Sequence, residues 1–344
     1  MPPVFEGYPV FDGHNDTLLR LWLADDAAGT GFTEGRDDTH IDAIRARKGG
    51  LMGGFFAIFV PTGGKNTSIL RKGELDQKGA ETATGEMISI LDAISTQHPD
   101  LLRQCRGHDD ILRAQGADAM AAILHFEGAE AILPDLSNLE EYYRLGLRSI
   151  GPVWSRSNAF GHGVPMSFPG SPDQGDGLTG AGKELVRACD QLGIMLDLSH
   201  LNAAGMRDIA AISTRPLIAT HSNCHALSAS PRNLTAWQLE AIAESGGLVG
   251  LNFASGFLRE DGRKSRDTDI DIMIRHLDAL LDSLGEEGVA LGSDFDGAII
   301  PSAIGDCTGL PRLVAAMEKA GYGDELISSI CSTNWLRQIK VQIG

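Results

Sequence analysis

The chain has 344 residues, 42% hydrophobic and 22% charged, so it can bury a large core and is too apolar for a disordered protein. Its 46 acidic side chains against 29 basic ones leave a net charge of −17. A field of that sign repels nucleic acid and anionic membrane, so neither is an expected partner, yet it suits a site where carboxylates hold cations. No stretch of about 18 apolar residues predicts a transmembrane helix. Residues 1–6 carry neither the basic nor the apolar part of a signal peptide. Cys105, Cys189, Cys224, Cys307 and Cys331 are widely spaced and form no C-x-x-C pair, which points to a reduced, cytoplasmic chain.

Taken in order, the first apolar run covers residues 10–16 and ends His14-Asn15-Asp16, followed by a polar stretch over 24–42. Further strands are predicted at 51–60, 120–126, 147–154, 194–199, 217–221, 247–253 and 289–293. Most are near-continuous apolar runs, the pattern of strands covered on both faces. Helical periodicity lies between most of them, at 79–96, 111–114, 139–144, 180–192, 203–211, 235–245 and 268–284. Two more helices, 310–320 and 324–340, follow the last strand. Eight alternations of strand and helix predict an α/β fold, a single (β/α)8 TIM barrel over residues 1–344, because an open doubly wound sheet usually stops near six strands. No G-x-G-x-x-G opens a helix after the first strand, which argues against dinucleotide binding. The glycine- and proline-rich segment 161–180 reads as a long loop after the fourth strand. With 24–42 and 259–269 it falls on the face where such barrels keep their chemistry.

The strand ends carry the functional signal. His14 and Asp16 close the first strand and, two residues apart on extended backbone, point the same way into the barrel mouth. Glu127 closes the third, His200 the fifth, His221 the sixth and Asp294 the eighth. Imidazole nitrogen with carboxylate oxygen suits zinc and similar divalent ions, and a carboxylate such as Glu127 can bridge two of them. Two ions could hold a hydroxide between them and polarise a carbonyl. Asp294 would then be placed to take the water's proton and return it to a leaving group. One histidine at a strand end is ordinary; several strand ends converging on one rim are not. His40, His98, His108 and His276 fall in helices or connecting loops and read as structural. His125 lies one layer below Glu127 and reads as a supporting or core residue. Cys224, between His221 and His225, has no triad geometry. Arg232, in a loop entering a helix, has a guanidinium fork that matches a substrate carboxylate, with a surface ion pair as the plainer reading.

Several ordered strings resemble the membrane (renal) dipeptidase family of zinc metallopeptidases over nearly the whole chain, in the form of a bacterial-type member. They are Phe11-Asp12-Gly13-His14-Asn15-Asp16, Phe126-Glu127-Gly128, Leu196-Asp197-Leu198-Ser199-His200, Thr220-His221-Ser222-Asn223, Ser230-Pro231-Arg232-Asn233, Gly292-Ser293-Asp294-Phe295-Asp296-Gly297 and Asn334-Trp335-Leu336-Arg337. The resemblance implies a distorted (β/α)8 barrel with two Zn2+ ions that hydrolyses small dipeptides, including those with a C-terminal D residue. It implies that His14 and Asp16 bind one metal, His200 and His221 the other, and that Glu127 bridges them. Asp294 would handle the proton, and Arg232 the C-terminal carboxylate. A homodimer is kept open as the assembly. The chain departs from the family at the end of the fourth strand, where Trp154 stands in place of a histidine that contacts the substrate carbonyl. An indole donates one hydrogen bond but cannot shuttle a proton. The oxyanion is therefore stabilised by Trp154, by a nearby loop group such as Asn158 or His162, or by the metals alone, and Trp154 and Asn158 are candidate substrate contacts. Two other functions compete: an amide or N-acyl-amino-acid hydrolase on the same metals, and a non-catalytic metal- or peptide-binding protein. The second would have no use for Asp294.

Overall fold

The structure, a computed structural model, describes residues 7–62 and 76–344. The hexapeptide read above for a signal lies outside the described residues. Nine strands run in chain order: β1 (Val10–Asn15), β2 (Leu51–Phe59), β3 (Leu102–Cys105), β4 (Met120–Glu127), β5 (Leu147–Gly151), β6 (Met195–Leu196), β7 (Ile218–Ser222), β8 (Leu248–Asn252) and β9 (Val289–Gly292). One parallel sheet has the order β1-β2-β4-β5-β6, with β3 on β4, and a second has the order β7-β8-β9. Isolated parallel pairings, Asp197 with Ile218 and Asn15 with Phe295, join the two sheets at both seams. This is an α/β architecture with the strands curled into a distorted barrel.

The distortion has local causes. The run predicted at 194–199 pairs regularly only at Met195 and Leu196. Beyond them the Asp197 carboxylate accepts the N–H groups of Ser199 and Thr220, so side chain replaces ladder at that seam. β3 was not predicted. It is four residues long and takes the N-terminal half of one β4 edge, while β5 takes the C-terminal half. The fourth predicted strand stops at Gly151 because Pro152 cannot donate to a ladder.

Every residue of β1, β2, β4 and β5 is buried, which is why these strands read as continuous apolar runs. Trp335 packs into the barrel from the helix Asn334–Gln342. Its ring meets Phe55 edge-on at 5.1 Å and its Nε1–H donates to the Leu291 carbonyl at 2.8 Å. Gly13 makes room for it: a Cβ there would lie 2.5 Å from the indole and 2.4 Å from the Thr220 carbonyl. Truncating so large a buried side chain costs about 3–5 kcal/mol. The helix predicted at 324–340 is interrupted by a π turn, Ser329–Thr333, that ends two residues before this tryptophan. No helix among the described residues is long and apolar enough to cross a membrane.

Candidate metal centre

Five elements deliver the predicted ligands to one point. His14 lies in β1 and Asp16 begins the helix Thr17–Leu23. An aspartate there usually caps the helix through its carboxylate, but Asp16 makes no cap bond; Asn15 Oδ1 accepts from Thr17 N–H instead. The Asp16 carboxylate is thus free for the barrel mouth. Glu127 ends β4, His200 follows β6, His221 lies in β7, and Asp294 follows β9. All six are buried. Glu127 is central: its Oε1 lies 2.9 Å from His200 Nε2 and 3.7 Å from His221 Nε2, and its Oε2 lies 3.8 Å from His14 Nε2. Asp16 Oδ2 is 3.5 Å from His14 Nε2, and the Nε2 atoms of His200 and His221 are 3.1 Å apart.

Two overlapping sets could each hold a cation: His14, Glu127 and His221, and His14, Asp16 and Asp294. Both ring nitrogens of His14 and Asp16 Oδ1 are buried without a hydrogen-bond partner. Orphans of this kind are rare unless something else satisfies them, and a nitrogen–oxygen donor set fits zinc. Without cations the electrostatics are unfavourable. Burial, then the neighbouring Asp16 carboxylate, raises Glu127 well above the usual carboxylate range. Burial pushes Asp294 up to about 6. Burial alone would lower His14, but Glu127, Asp16 and Asp294 carry it up to about 10. Burial holds His200 and His221 well below the ordinary imidazole value, so both stay neutral and able to ligate.

A second layer aims these ligands. Thr220 Oγ1 donates to Asp197 Oδ2 at 2.7 Å and lies 2.8 Å from His221 Nδ1, which leaves Nε2 of that ring as the free lone pair. Ser155 Oγ lies 2.8 Å from His200 Nδ1. Asn252 donates to Asp294 Oδ2 at 3.0 Å. His200 and Asp294 both have left-handed backbone, φ 68° and 58°, uncommon for residues other than glycine and typical of constrained sites. His125 sits below this ring, 2.9 Å from Ser149 Oγ through Nδ1, with Nε2 3.6 Å from Asp197.

A cleft of about 640 Å³ opens over the centre, lined by Asp16, Glu127, His200 and Asp294. Trp154 forms part of its wall, 4.9 Å from the Phe59 ring and 5.7 Å from that of His200. Asn158 does not line it; its amide donates to the Pro152 carbonyl and accepts from Phe160 N–H. His162 bonds Ser157. Arg232 does not line the cleft: it is buried, its guanidinium 5.3 Å from the ring of Phe257, which does line it, and it donates to the His221 carbonyl at 2.9 Å, while its Nε has no partner among the described residues. Burial pushes the Cys224 thiol up to about 12, which keeps it a thiol rather than the reactive thiolate. The sequence reading missed Ser155, Asn252 and His40. His40 lines the cleft and exchanges hydrogen bonds with Asp296.

Residues 2–342 match the membrane dipeptidase family, peptidase family M19. The chain belongs to the membrane dipeptidase family. A metallopeptidase of Rhodobacter sphaeroides, solved with a phosphinate mimic of the dipeptide L-Ala-D-Ala, is 45% identical with a TM-score of 0.93, covering 98% of this chain and 100% of that one. An uncharacterized protein in the pqqA 5′ region of Klebsiella pneumoniae is 44% identical over 255 residues, 74% of this chain and 94% of its own length. The dipeptidase verJ of Clonostachys rogersoniana is 28% identical over 338 residues, 96% and 83% of the two chains. As a membrane dipeptidase family member the chain is a metallo-dipeptidase, a hydrolase of peptide bonds. The buried donor cluster at its strand ends is where the metal that this family implies fits.

Proposed function

We propose that the protein is a binuclear zinc dipeptidase acting on small dipeptides, including those whose C-terminal residue is D. One observation carries this: six buried ligand-type side chains from five strand ends meet around Glu127, with Asp294 among them. The D residue is supported by the L-Ala-D-Ala mimic held by the 45% identical Rhodobacter protein. His14 and Asp16 would hold one ion, His200 and His221 the other, with Glu127 between. When bound, the ions polarise the scissile carbonyl and make water a nucleophile near neutral pH. Asp294 takes the proton of the attacking water as the new C–O bond forms, then hands it to the amide nitrogen as the C–N bond breaks. Asn252 holds one of its oxygens and so fixes the direction of the other.

Arg232 receives the substrate's C-terminal carboxylate. The hydrogen bonds to the His221 carbonyl and the Ser222 hydroxyl engage only part of its five-donor fork, and the buried Nε–H awaits an acceptor. Trp154, with Phe59, serves as a packing wall for the substrate. Asn158 acts on this contact only through the loop it braces. Five buried free cysteines support a reducing, cytoplasmic setting. The test is a panel on the zinc-loaded protein: L-L dipeptides, L-D dipeptides, their C-terminal amides and N-acyl amino acids. Free dipeptides of both series should be cleaved and amides poorly. Turnover of acyl amino acids alone would favour the competing hydrolase.

A further inference from the structure

The cleft extends beyond the metal ligands toward the helix Thr17–Leu23 and the polar segment 259–269 that follows the helix Ser255–Leu258. Four cations line this arm, Arg20, Arg45, Lys264 and Arg266, of which Arg45 is engaged by Asp42 and Asp306. Arg20 stands one helical turn past Asp16, on the same side of its helix. Its guanidinium donates to the Asp38 backbone carbonyl, 3.1 Å away, rather than to a carboxylate. Lys264 and Arg266 have no ion-pair partner among the described residues. The acidic groups nearby are mostly engaged. Asp38 is held by two bonds from Arg36, Asp306 by Arg45 and Thr308, and Asp296 by Thr17 and the His40 N–H. Asp37 alone stays a free carboxylate on this rim. This leaves Lys264 and Arg266 as exposed cations beside the reaction centre with no carboxylate partner among the described residues, in a chain whose net charge is −17.

Neutral donors complete it. His40 Nδ1 accepts the Asp296 N–H at 2.8 Å, so the ring's proton sits on Nε2, which has no partner among the described residues, and His40 lines the cleft. Ser255 Oγ is fully buried, lines the cleft, and is unpartnered. Cations and hydrogen-bond donors without acceptors describe a receptor for an anion. The terminal carboxylate is already assigned to Arg232, so the second anion must come from a side chain.

We infer that this arm is a side-chain subsite and that the enzyme prefers dipeptides carrying an acidic side chain. The inference rests on the dipeptidase reading above. It is tested by comparing kcat/KM within two matched pairs, Ala-Glu against Ala-Gln and Glu-Ala against Gln-Ala, on the full zinc-loaded chain. Members of a pair share every other charge, the terminal carboxylate included, so their ratio reports the side chain alone. Three partly solvated ion pairs predict a preference of about tenfold for the acidic member of one pair. At roughly 0.5 M salt that ratio should shrink toward one. In the Arg20→Gln/Arg266→Gln double variant, checked for an unchanged thermal transition, the ratio should shrink in the same way at low salt. Ratios near one in both pairs, from an enzyme that cleaves the neutral dipeptides, would overturn the subsite and leave the dipeptidase reading standing. Absence of hydrolysis for all four would overturn both.

Discussion

Replacing Asp294 by Asn exchanges one oxygen for an amide and removes the proposed proton carrier with little else. The backbone at this position has φ 58°, which Asn tolerates better than most residues, so the fold should accept it. The hydrogen bond from Asn252, 3.0 Å in the native protein, can be received by the new amide oxygen. Losing the charge even relieves a desolvation burden, since burial already pushes this carboxyl up to about 6. Stability should therefore move by about 1 kcal/mol or less. Turnover should not survive. General acid–base assistance is worth roughly 10²–10⁴ in rate, or about 2.7–5.5 kcal/mol of barrier. The pH profile supplies an independent signature. Asp294 works as a base only when ionised, so the native rate should rise with pH through its titration, at about 6 or lower once cations are bound. In Asp294→Asn that acid limb should be absent. Metal content by elemental mass spectrometry and kcat across pH 4–8 (roughly the window set by these values) decide the matter. Full metal occupancy with near-native kcat would refute the proton-transfer role.

Three other substitutions probe the surroundings. Gly297→Ala places a methyl 2.1 Å from Asp16 Oδ2 and 2.6 Å from Asp294 Oδ1, so it should lower metal occupancy and kcat together, and unchanged occupancy would mean the two carboxylates can give way. Thr220→Val removes the hydroxyl between Asp197 and His221; metal affinity should drop roughly 10–100-fold, recovered in Thr220→Ser, and equal affinity in the valine variant would dismiss the relay. His276 is buried neutral, its value lowered to about 4 by burial, while the unfolded chain protonates near 6.5. It therefore adds stability above that pH that is lost as pH falls from about 6.5 toward 4. Denaturant titrations of His276→Gln should show a pH slope about 1.4 kcal/mol per unit shallower in that window, and parallel slopes would contradict it.

Much of the barrel could be read from the residues because parallel strands covered on both faces leave uninterrupted apolar runs, as β2 and β4 do. The convergence of the candidate ligands was legible for a related reason: barrel chemistry sits at strand carboxyl ends, and H-x-D on extended backbone places His14 and Asp16 side by side. Short or interrupted elements were not. β3 makes one edge pairing and carries no apolar run, and the π turn at Ser329–Thr333 leaves helical periodicity intact while shifting its phase. Residues that act through others were also hidden. Ser155 and Asn252 belong to ordinary-looking segments, and only the folded distances tie them to His200 and Asp294. His40 reads as a loop histidine until Asp296, more than 250 positions later, fixes its ring on the cleft wall.

The central claim is that two ions at the Glu127 cluster make this chain a dipeptidase. Stripping the protein with a chelator and returning zinc in measured equivalents, while following hydrolysis of L-Ala-D-Ala, tests it most directly. Activity should be absent in the stripped protein and climb to a plateau at two equivalents per chain. Full hydrolysis without metal, or a plateau at one equivalent, would contradict it.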